Sequence, residues 1–391
     1  MPRTTRLPVL IVGGGIGGLT AALALSRKGQ TVHVIEKAAE FAEIGAGLQL
    51  APNATAVLDR LGVLAEIRKY AVHPSRLVWM DAIAGTPITS VDLGAPFLRR
   101  YGHPYVVMHR ADLLAVLLEA CRAENRITLE PWTELAAVTD AGAPARALLA
   151  NGEVYAADLL IGADGLASTV RRLIADDAPI ADGFVAYRGT LPVAELSQHA
   201  GLDNVVMWVG PNMHFVQYPV RRGDLYNQVA VFRSPRYRSD SEDWGTADEL
   251  DAHYAQTCAA VRSAAALIAR DRHWVMLDRK PIGRWTRNRI ALLGDAAHPM
   301  YQYIAQGACQ AIEDGASLAD CIAAAPGDLE RALRAYEKAR VLRAARVQLT
   351  ARAMGAFFHL EGVAAEVRNA MMAGRASDDY TMLDWLYGHR V

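Results

Sequence analysis

The sequence predicts an α/β fold: a parallel sheet of the βαβ kind, interrupted by a mainly antiparallel sheet and followed by a C-terminal helical segment. Three observations predict it. Leu7–Val12 is a short apolar run that stops at Gly13, Gly14 and Gly15, and a helical pattern and a second apolar run follow, which is the order of a βαβ unit. Two later runs, 158–165 and 289–295, end in the same way on a Gly and Asp pair. Between them, the stretches 74–108 and 182–235 alternate polar and apolar residues and carry turn residues, as antiparallel strands do.

Leu7–Val12 is almost wholly apolar, as expected of a strand covered on both faces. Residues 17–28 read as a helix, with Leu19, Ala22, Leu23 and Leu25 on overlapping faces. Gly29 ends that helix, and Thr31–Ile35 is the next strand. In the second sheet, Val205–Pro211 and His214–Pro219 read as neighbouring strands. Residues 328–354 form a long helix with Leu329, Leu333 and Tyr336 spaced for one face. Its Arg331, Arg334, Lys338, Arg340, Arg343 and Arg346 outnumber its acids, which reads as a solvated face or as a subunit contact in a homodimer. The expected division is a discontinuous first domain of 1–73, 104–176 and 278–345. A second domain comprises 74–103 and 177–277, and residues 346–391 form the C-terminal helical segment.

Composition excludes several function classes. Lys and Arg number 41 against 42 Asp and Glu, so the net charge of −1 gives no electrostatic case for nucleic acid as a partner. Cys121, Cys258, Cys309 and Cys321 form no CxxC pair and have no histidine cluster beside them, so no metal is expected and the reading is four reduced thiols in a cytoplasmic protein. The start, Met1-Pro2-Arg3-Thr4-Thr5-Arg6 before an apolar run, superficially mimics a signal peptide, but the run breaks at Gly13, too early for a secretory segment. No other apolar stretch is long enough for a membrane span.

Residues 13–18 fit GxGxxG, and their setting makes the motif specific: a strand precedes it, a helix opens from it, and Glu36 closes the second strand. Gly13 permits the tight turn, Gly15 lets the backbone approach a pyrophosphate, and Gly18 lets helix and strand pack closely. Unpaired N–H groups at the helix start bind phosphate oxygens. Glu36, with Lys37 beside it, is placed to accept hydrogen bonds from a ribose. The fingerprint alone serves NAD and FAD equally. Asp295, in Gly294-Asp295-Ala296-Ala297-His298-Pro299, offers a carboxylate to ribitol or ribose hydroxyls, or simply caps a helix. The Gly307-Ala308 amides at a following helix start would stabilise negative charge on a reduced flavin.

Together these motifs resemble the class A flavoprotein monooxygenases, the fold group of p-hydroxybenzoate hydroxylase and salicylate hydroxylase. Three motifs carry the resemblance: residues 13–18; Gly162-Ala163-Asp164-Gly165 followed by Ser168, Val170 and Arg171; and Gly294-Asp295 continuing to Gln306-Gly307 and Ala311-Ile312-Glu313-Asp314. The resemblance runs from residue 7 to about residue 345. It implies a Rossmann-like FAD domain, a discontinuous substrate domain, and no separate nicotinamide domain. NADH or NADPH would be a transient cosubstrate, and O2 would react through a flavin hydroperoxide. It further implies that Asp164 lies near FAD and the nicotinamide, that Arg110 lies near the FAD phosphates, and that His298 supports FAD packing. The segments 208–219, His298–Tyr303 and 379–387 look like those of 3-hydroxybenzoate 6-hydroxylases, although Gln302 stands where many relatives have Pro and Ala305 where they have Gly.

If 213–219 is a strand, His214, Val216 and Tyr218 face one side, with His214 and Tyr218 roughly 13 Å apart, a span that admits one aromatic ring. Phe215 and Gln217 would face the other side. A phenolate ring is far more electron-rich than a phenol, so a base at the substrate hydroxyl helps hydroxylation, and His214 has the most suitable ordinary pKa. Tyr218 would exchange a hydrogen bond with the same oxygen, and Gln302 would orient the substrate. Tyr105, Gln49 and Tyr301 are further pocket candidates. No residue stands out as an anchor for a substrate carboxylate. The expected reaction is 3-hydroxybenzoate to gentisate. The competing readings are a salicylate-like, hydroxynicotinate-like or other phenol hydroxylase, an NAD-dependent dehydrogenase, and a membrane-associated flavoprotein.

Overall fold

A computed structural model describes residues 4–41, 46–139, 144–196, 202–241 and 243–391, so Met1, Pro2 and Arg3 of the N-terminal reading lie outside the described residues. Thr4–Val12 lies at the centre of an eight-stranded sheet, parallel to Val154–Gly162 on one side and to Val32–Ile35 on the other. Ile127–Glu130 extends the sheet beyond Val32–Ile35, and Ile290–Leu292 lies beyond Val154–Gly162, both in parallel register. Val9, Leu10, Ile11 and Val12 are buried, which explains the unbroken apolar run. The helix Ile16–Arg27 follows the glycine turn and packs against Gly307–Ala324 closely enough that a Cβ on Gly315 would lie 2.8 Å from the Ala21 nitrogen.

The second sheet has seven strands, in the order Trp274–Asp278, Ile180–Pro192, Leu225–Arg233, Met213–Val220, Asn204–Gly210, Arg76–Asp81 and Pro87–Asp92. All neighbours are antiparallel except Asn204–Gly210 and Arg76–Asp81, which run parallel. That exception has a topological cause: these two strands belong to separate excursions of the chain, so no hairpin dictates their direction. A two-stranded pair, Gly47–Leu50 with Val106–His109, lies against the second sheet through Tyr218 and Asn227.

The sheet's two faces bury different sets. Phe215, Trp208, Tyr187 and Phe232 pack with the helices Ala247–Tyr254 and Ala259–Ala265. Val231, Met207, Phe184 and Met276 pack with Tyr301, Tyr303 and Phe358. Phe358 ends a helix that runs unbroken from Leu329, four residues beyond the expected stop and straight through residue 345. Among the described residues, no helix is long and apolar enough to cross a membrane.

Candidate active site

The glycine turn is built for close backbone approach. Gly13 has φ +107°, and a Cβ there would lie 2.3 Å from the Ala163 carbonyl oxygen; one on Gly18 would lie 2.0 Å from the Gly13 carbonyl oxygen. No side chain other than glycine's hydrogen fits either place. Gly15 is the N-cap of Ile16–Arg27 and supplies no capping side chain, so the first amides of the helix are left for an anion. Glu36 accepts from the Gly14 N–H at 2.8 Å and the Ala38 N–H at 2.9 Å, which fixes it at the strand end, with Lys37 exposed beside it. Arg110 opens the helix Arg110–Arg122, its N–H donating to the Ala46 carbonyl at 3.1 Å.

Gly307–Ala324 likewise begins without a side-chain cap, with Gly307 and Ala308 in its first turn. Asp295 is exposed in the turn Gly294–Ala296, just after Ile290–Leu292. Two uncapped helix starts, backbone surfaces that a Cβ would obstruct, and the carboxylates of Glu36 and Asp295 suit a phosphate-bearing cofactor with many hydroxyls. FAD fits this donor set.

The remaining motif residues tie these pieces together. Asp164 accepts from Ser168 Oγ at 2.5 Å, the Thr169 N–H at 2.7 Å and the Val170 N–H at 3.2 Å. Burial raises the Asp164 carboxyl above its usual range, and these donors oppose the rise. Ser168 Oγ in turn accepts from the Arg171 N–H at 2.9 Å. The Arg171 guanidinium then donates to the carbonyls of Ala296 and Ala297 and pairs with Asp177. Asp164 thus adjoins the glycine turn through the backbone, while its carboxylate orders the turn that supports Asp295.

Below Asp295, His298 is fully buried, with Nε2 2.5 Å from Asp314 Oδ2. Asp314 also accepts from the Gly294 N–H at 2.9 Å and Arg340 Nε at 2.7 Å. Glu313 pairs with Arg340 and with Arg343, and Asn53 Nδ2 donates to it at 2.6 Å. This ionic cluster clamps the Gly294–His298 turn to two helices, so His298 acts as support.

On the second sheet, His214, Val216 and Tyr218 share a face, and Gln217 points away, accepting from Trp208 Nε1 at 3.1 Å. Tyr105 donates to Gln49 Oε1 at 2.5 Å, and Gln49 also bonds Tyr218, so these three gather in one place. Burial raises the Tyr218 hydroxyl above its ordinary value, with Gln49 and Arg188 acting in the opposite direction. Gly47 must be glycine here, because a Cβ would lie 2.5 Å from the Tyr218 ring. Its N–H donates to Asn227 Oδ1 at 2.6 Å.

Asn227 is fully buried, sits opposite Tyr218 in the register, and its Nδ2 has no hydrogen-bond partner among the described residues. Gln302, half-buried in the turn Gln302–Ile304, likewise has an Nε2 without a hydrogen-bond partner among the described residues. An orphaned buried donor costs about 1–3 kcal/mol, so two of them point to ligand oxygens.

Tyr301 stands apart from that group. With Tyr303, Asp182, Arg352 and His359 it borders a cavity of about 470 Å3 beside the end of the long helix. His214 is 2% exposed, and its Nδ1 lies 2.8 Å from His359 Nε2. Burial lowers His214 to about 3, so the ring is neutral. Asn227 and His359 were missed in the sequence. Asn227 is found only through its register with Tyr218, and nothing local marks His359, which meets His214 across 145 residues.

The comparisons agree with this geometry. A family model described as an FAD binding domain matches residues 6–351. The chain is 39% identical over 386 residues to a 3-hydroxybenzoate 6-hydroxylase of Polaromonas naphthalenivorans, covering 98% of this chain and 96% of that one. It is 38% identical over 384 residues to a 3-hydroxybenzoate 6-hydroxylase of Klebsiella oxytoca, covering 97% and 96%. A crystallised Klebsiella pneumoniae HpxO variant complexed with FAD superposes with a TM-score of 0.83 at 25% identity, over 95% of this chain and 96% of that one. FAD is therefore the cofactor and NAD(P)H the cosubstrate, and the dehydrogenase reading is set aside. The chain belongs to the FAD binding domain family and is an FAD-dependent aromatic monooxygenase.

Proposed function

We propose that the enzyme converts 3-hydroxybenzoate, O2, NAD(P)H and a proton into gentisate, water and NAD(P)+. The observation that carries this reading is the cluster on one face of Met213–Val220. There a neutral His214 and a Tyr218 hydroxyl share a face with the orphaned amide donor of Asn227, and Gln302, in the turn Gln302–Ile304, carries a second orphaned amide donor that a hydroxybenzoate oxygen would fill. Similarity to two 3-hydroxybenzoate 6-hydroxylases over nearly the whole chain supports the substrate choice.

In this reading the eight-stranded sheet and its helices form the FAD domain and the seven-stranded sheet the substrate domain. The expected boundaries, 1–73, 104–176 and 278–345 against 74–103 and 177–277, assign them so. Gly13, Gly15 and Gly18 hold the pyrophosphate at the helix start. Glu36, Lys37 and Arg110 bind the adenosine and phosphate side, and Asp295 binds the ribitol. Asp164 orders the turn beside the nicotinamide, and Gly307 and Ala308 stabilise charge on the ring. When bound and reduced, FAD would activate O2 for transfer of one oxygen atom to the substrate. His214 accepts the substrate's hydroxyl proton, making the ring electron-rich para to that oxygen. Tyr218 holds the same oxygen. Gln302 and Asn227 donate to substrate oxygens and fix which ring carbon is presented.

The four free cysteines, two of them buried, support a cytoplasmic setting, and the exposed Leu342 and Leu349 on the long helix support a homodimer. A panel of phenolic acids tests the proposal, with NADH oxidation and product identity as readouts. Gentisate from 3-hydroxybenzoate is the expected result. Turnover of salicylate, 6-hydroxynicotinate or 3-amino-4-hydroxybenzoate in its place overturns the substrate assignment.

A further inference from the structure

His214 does not stand alone in its pocket. Its Nδ1 is 2.8 Å from His359 Nε2, and the two rings are stacked at 5.1 Å and 24°. His359 is held on its other face by Phe184, stacked at 4.4 Å and 20°. It caps the C-terminal end of the helix Leu329–Phe358, with its N–H donating to the Gly355 carbonyl. Tyr303 meets both imidazoles edge-on, at 5.4 Å from His214 and 5.3 Å from His359. His214 is buried and does not line the cavity that contains Asp182 and Arg352, whereas His359 borders it.

We infer that His359 is the second member of a two-imidazole proton relay, which carries the substrate's hydroxyl proton from His214 to the cavity beside the long helix. The inference rests on the reading that His214 receives that proton. In the starting state each ring is neutral and carries its proton on Nδ1. The substrate O–H bond breaks as an N–H bond forms at His214 Nε2. The His214 Nδ1 proton passes to His359 Nε2, and the His359 Nδ1 proton leaves to water in the cavity. One proton enters, one leaves, and neither ring keeps a charge. Reprotonation of the product's oxygen runs the chain backwards and resets both tautomers.

The surroundings explain why the pair conducts a proton rather than storing one. Burial disfavours the charged form of both rings, and His359 is further opposed by His214, Arg368 and His253. Arg368 stays close because its guanidinium donates to the Phe358 carbonyl at 2.7 Å. A proton on either imidazole is therefore high in energy and moves on. Asp182 and Asp278 both put carboxylates on the cavity wall, Asp278 paired with Arg352, so Asp182 is the one left to stabilise the proton on its way out, with Arg233 also lining the space.

The test uses the FAD-loaded enzyme mixed rapidly with 3-hydroxybenzoate in weak buffer containing a pH indicator. Bound phenolate is read by its ultraviolet absorbance. Wild type is expected to form phenolate and release one proton. The His359→Gln variant is expected to bind the phenol within about threefold of wild type and to release the proton at least tenfold more slowly. In His359→Ala, added imidazole is expected to restore the rate through the cavity. Proton release at the wild-type rate in both variants overturns the relay and leaves the His214 assignment standing. A wild type that neither forms phenolate nor releases a proton overturns the His214 assignment and the relay with it. Should both variants lose FAD, the wild-type rate in H2O and D2O mixtures decides: three protons in flight give a curved dependence on deuterium fraction, and a straight line overturns the relay.

Discussion

Arg171 reaches from one turn to another: its Nη1 donates to the carbonyl oxygen of Ala297 at 2.7 Å, two residues past Asp295. The same nitrogen donates to Ala296 at 2.8 Å, and Nε pairs with Asp177 at 2.8 Å. The guanidinium is 1% exposed, so the two bonds to the carbonyls are made away from water, whereas Asp177 is half-buried. Removing it leaves two buried carbonyls without their donor, while Asp177 keeps Arg279 at 3.1 Å.

Arg171→Met is therefore expected to destabilise the protein by about 2–6 kcal/mol, since two buried carbonyls each lose a donor at about 1–3 kcal/mol. Because the bonds fix the turn that presents Asp295, the purified variant should also hold less FAD. Urea unfolding and the flavin-to-protein absorbance ratio check both effects. A variant with normal flavin content and normal stability would contradict the bracing role.

A second expectation concerns pH. Burial opposes ionisation of Glu313 and Asp314, but Arg340, with Arg343 and His298, outweighs it and lowers both carboxyls to about 2. Folded carboxyls held below their unfolded values near 4 stabilise the fold fully above about pH 4.5, and that stability is lost as pH falls toward 2. Urea midpoints between pH 6 and pH 3 should fall steeply for wild type. Arg340→Met removes the compensating charge and should cost about 3–5 kcal/mol at pH 7, with a much flatter acid dependence.

Ala305 adopts φ +52°, the left-handed region, at the end of the turn Gln302–Ile304. A side chain there costs roughly 1–2 kcal/mol, against about 0.5–1 kcal/mol for the extra unfolded-state freedom of glycine. Ala305→Gly is expected to leave stability unchanged or raise it by up to about 1 kcal/mol, measured by thermal melting. A loss above that size would mean that the Ala305 methyl packs usefully.

The proposed substrate contacts separate from the cofactor contacts by phenotype. His214→Gln should lower hydroxylation on the order of 100-fold, and Tyr218→Phe about tenfold, with flavin content retained in both. Asn227→Ala removes an orphaned donor but also the bond to Gly47, so it should weaken substrate binding and lower stability together. Parallel loss of flavin in the first two variants would assign them to the fold.

Much of this was legible in the sequence because it is local. The glycine turn, Glu36, and the runs ending in Gly162 and Leu293 each signal their strand and turn within a dozen residues. Alternation along 213–219 placed His214 and Tyr218 on one face. Long-range partners were not legible. Asn227 joins the site because Leu225–Arg233 pairs with Met213–Val220 in one particular register, and a shift by one residue would turn it away. His359 reaches His214 only because the long helix continues past 354 and ends there. The motif residues Asp164 and Arg171 stood out, but their bracing role lies in hydrogen bonds between turns, which spacing alone does not reveal.

Anaerobic reduction of the bound flavin by NADH, followed by its visible absorbance with and without 3-hydroxybenzoate, tests most directly that FAD and a phenolic acid occupy adjoining parts of one site. The purified protein should be yellow, and 3-hydroxybenzoate should accelerate bleaching at least tenfold, with gentisate appearing on admission of O2. A protein that takes up no flavin, or a flavin whose reduction is indifferent to every phenolic acid, would contradict it.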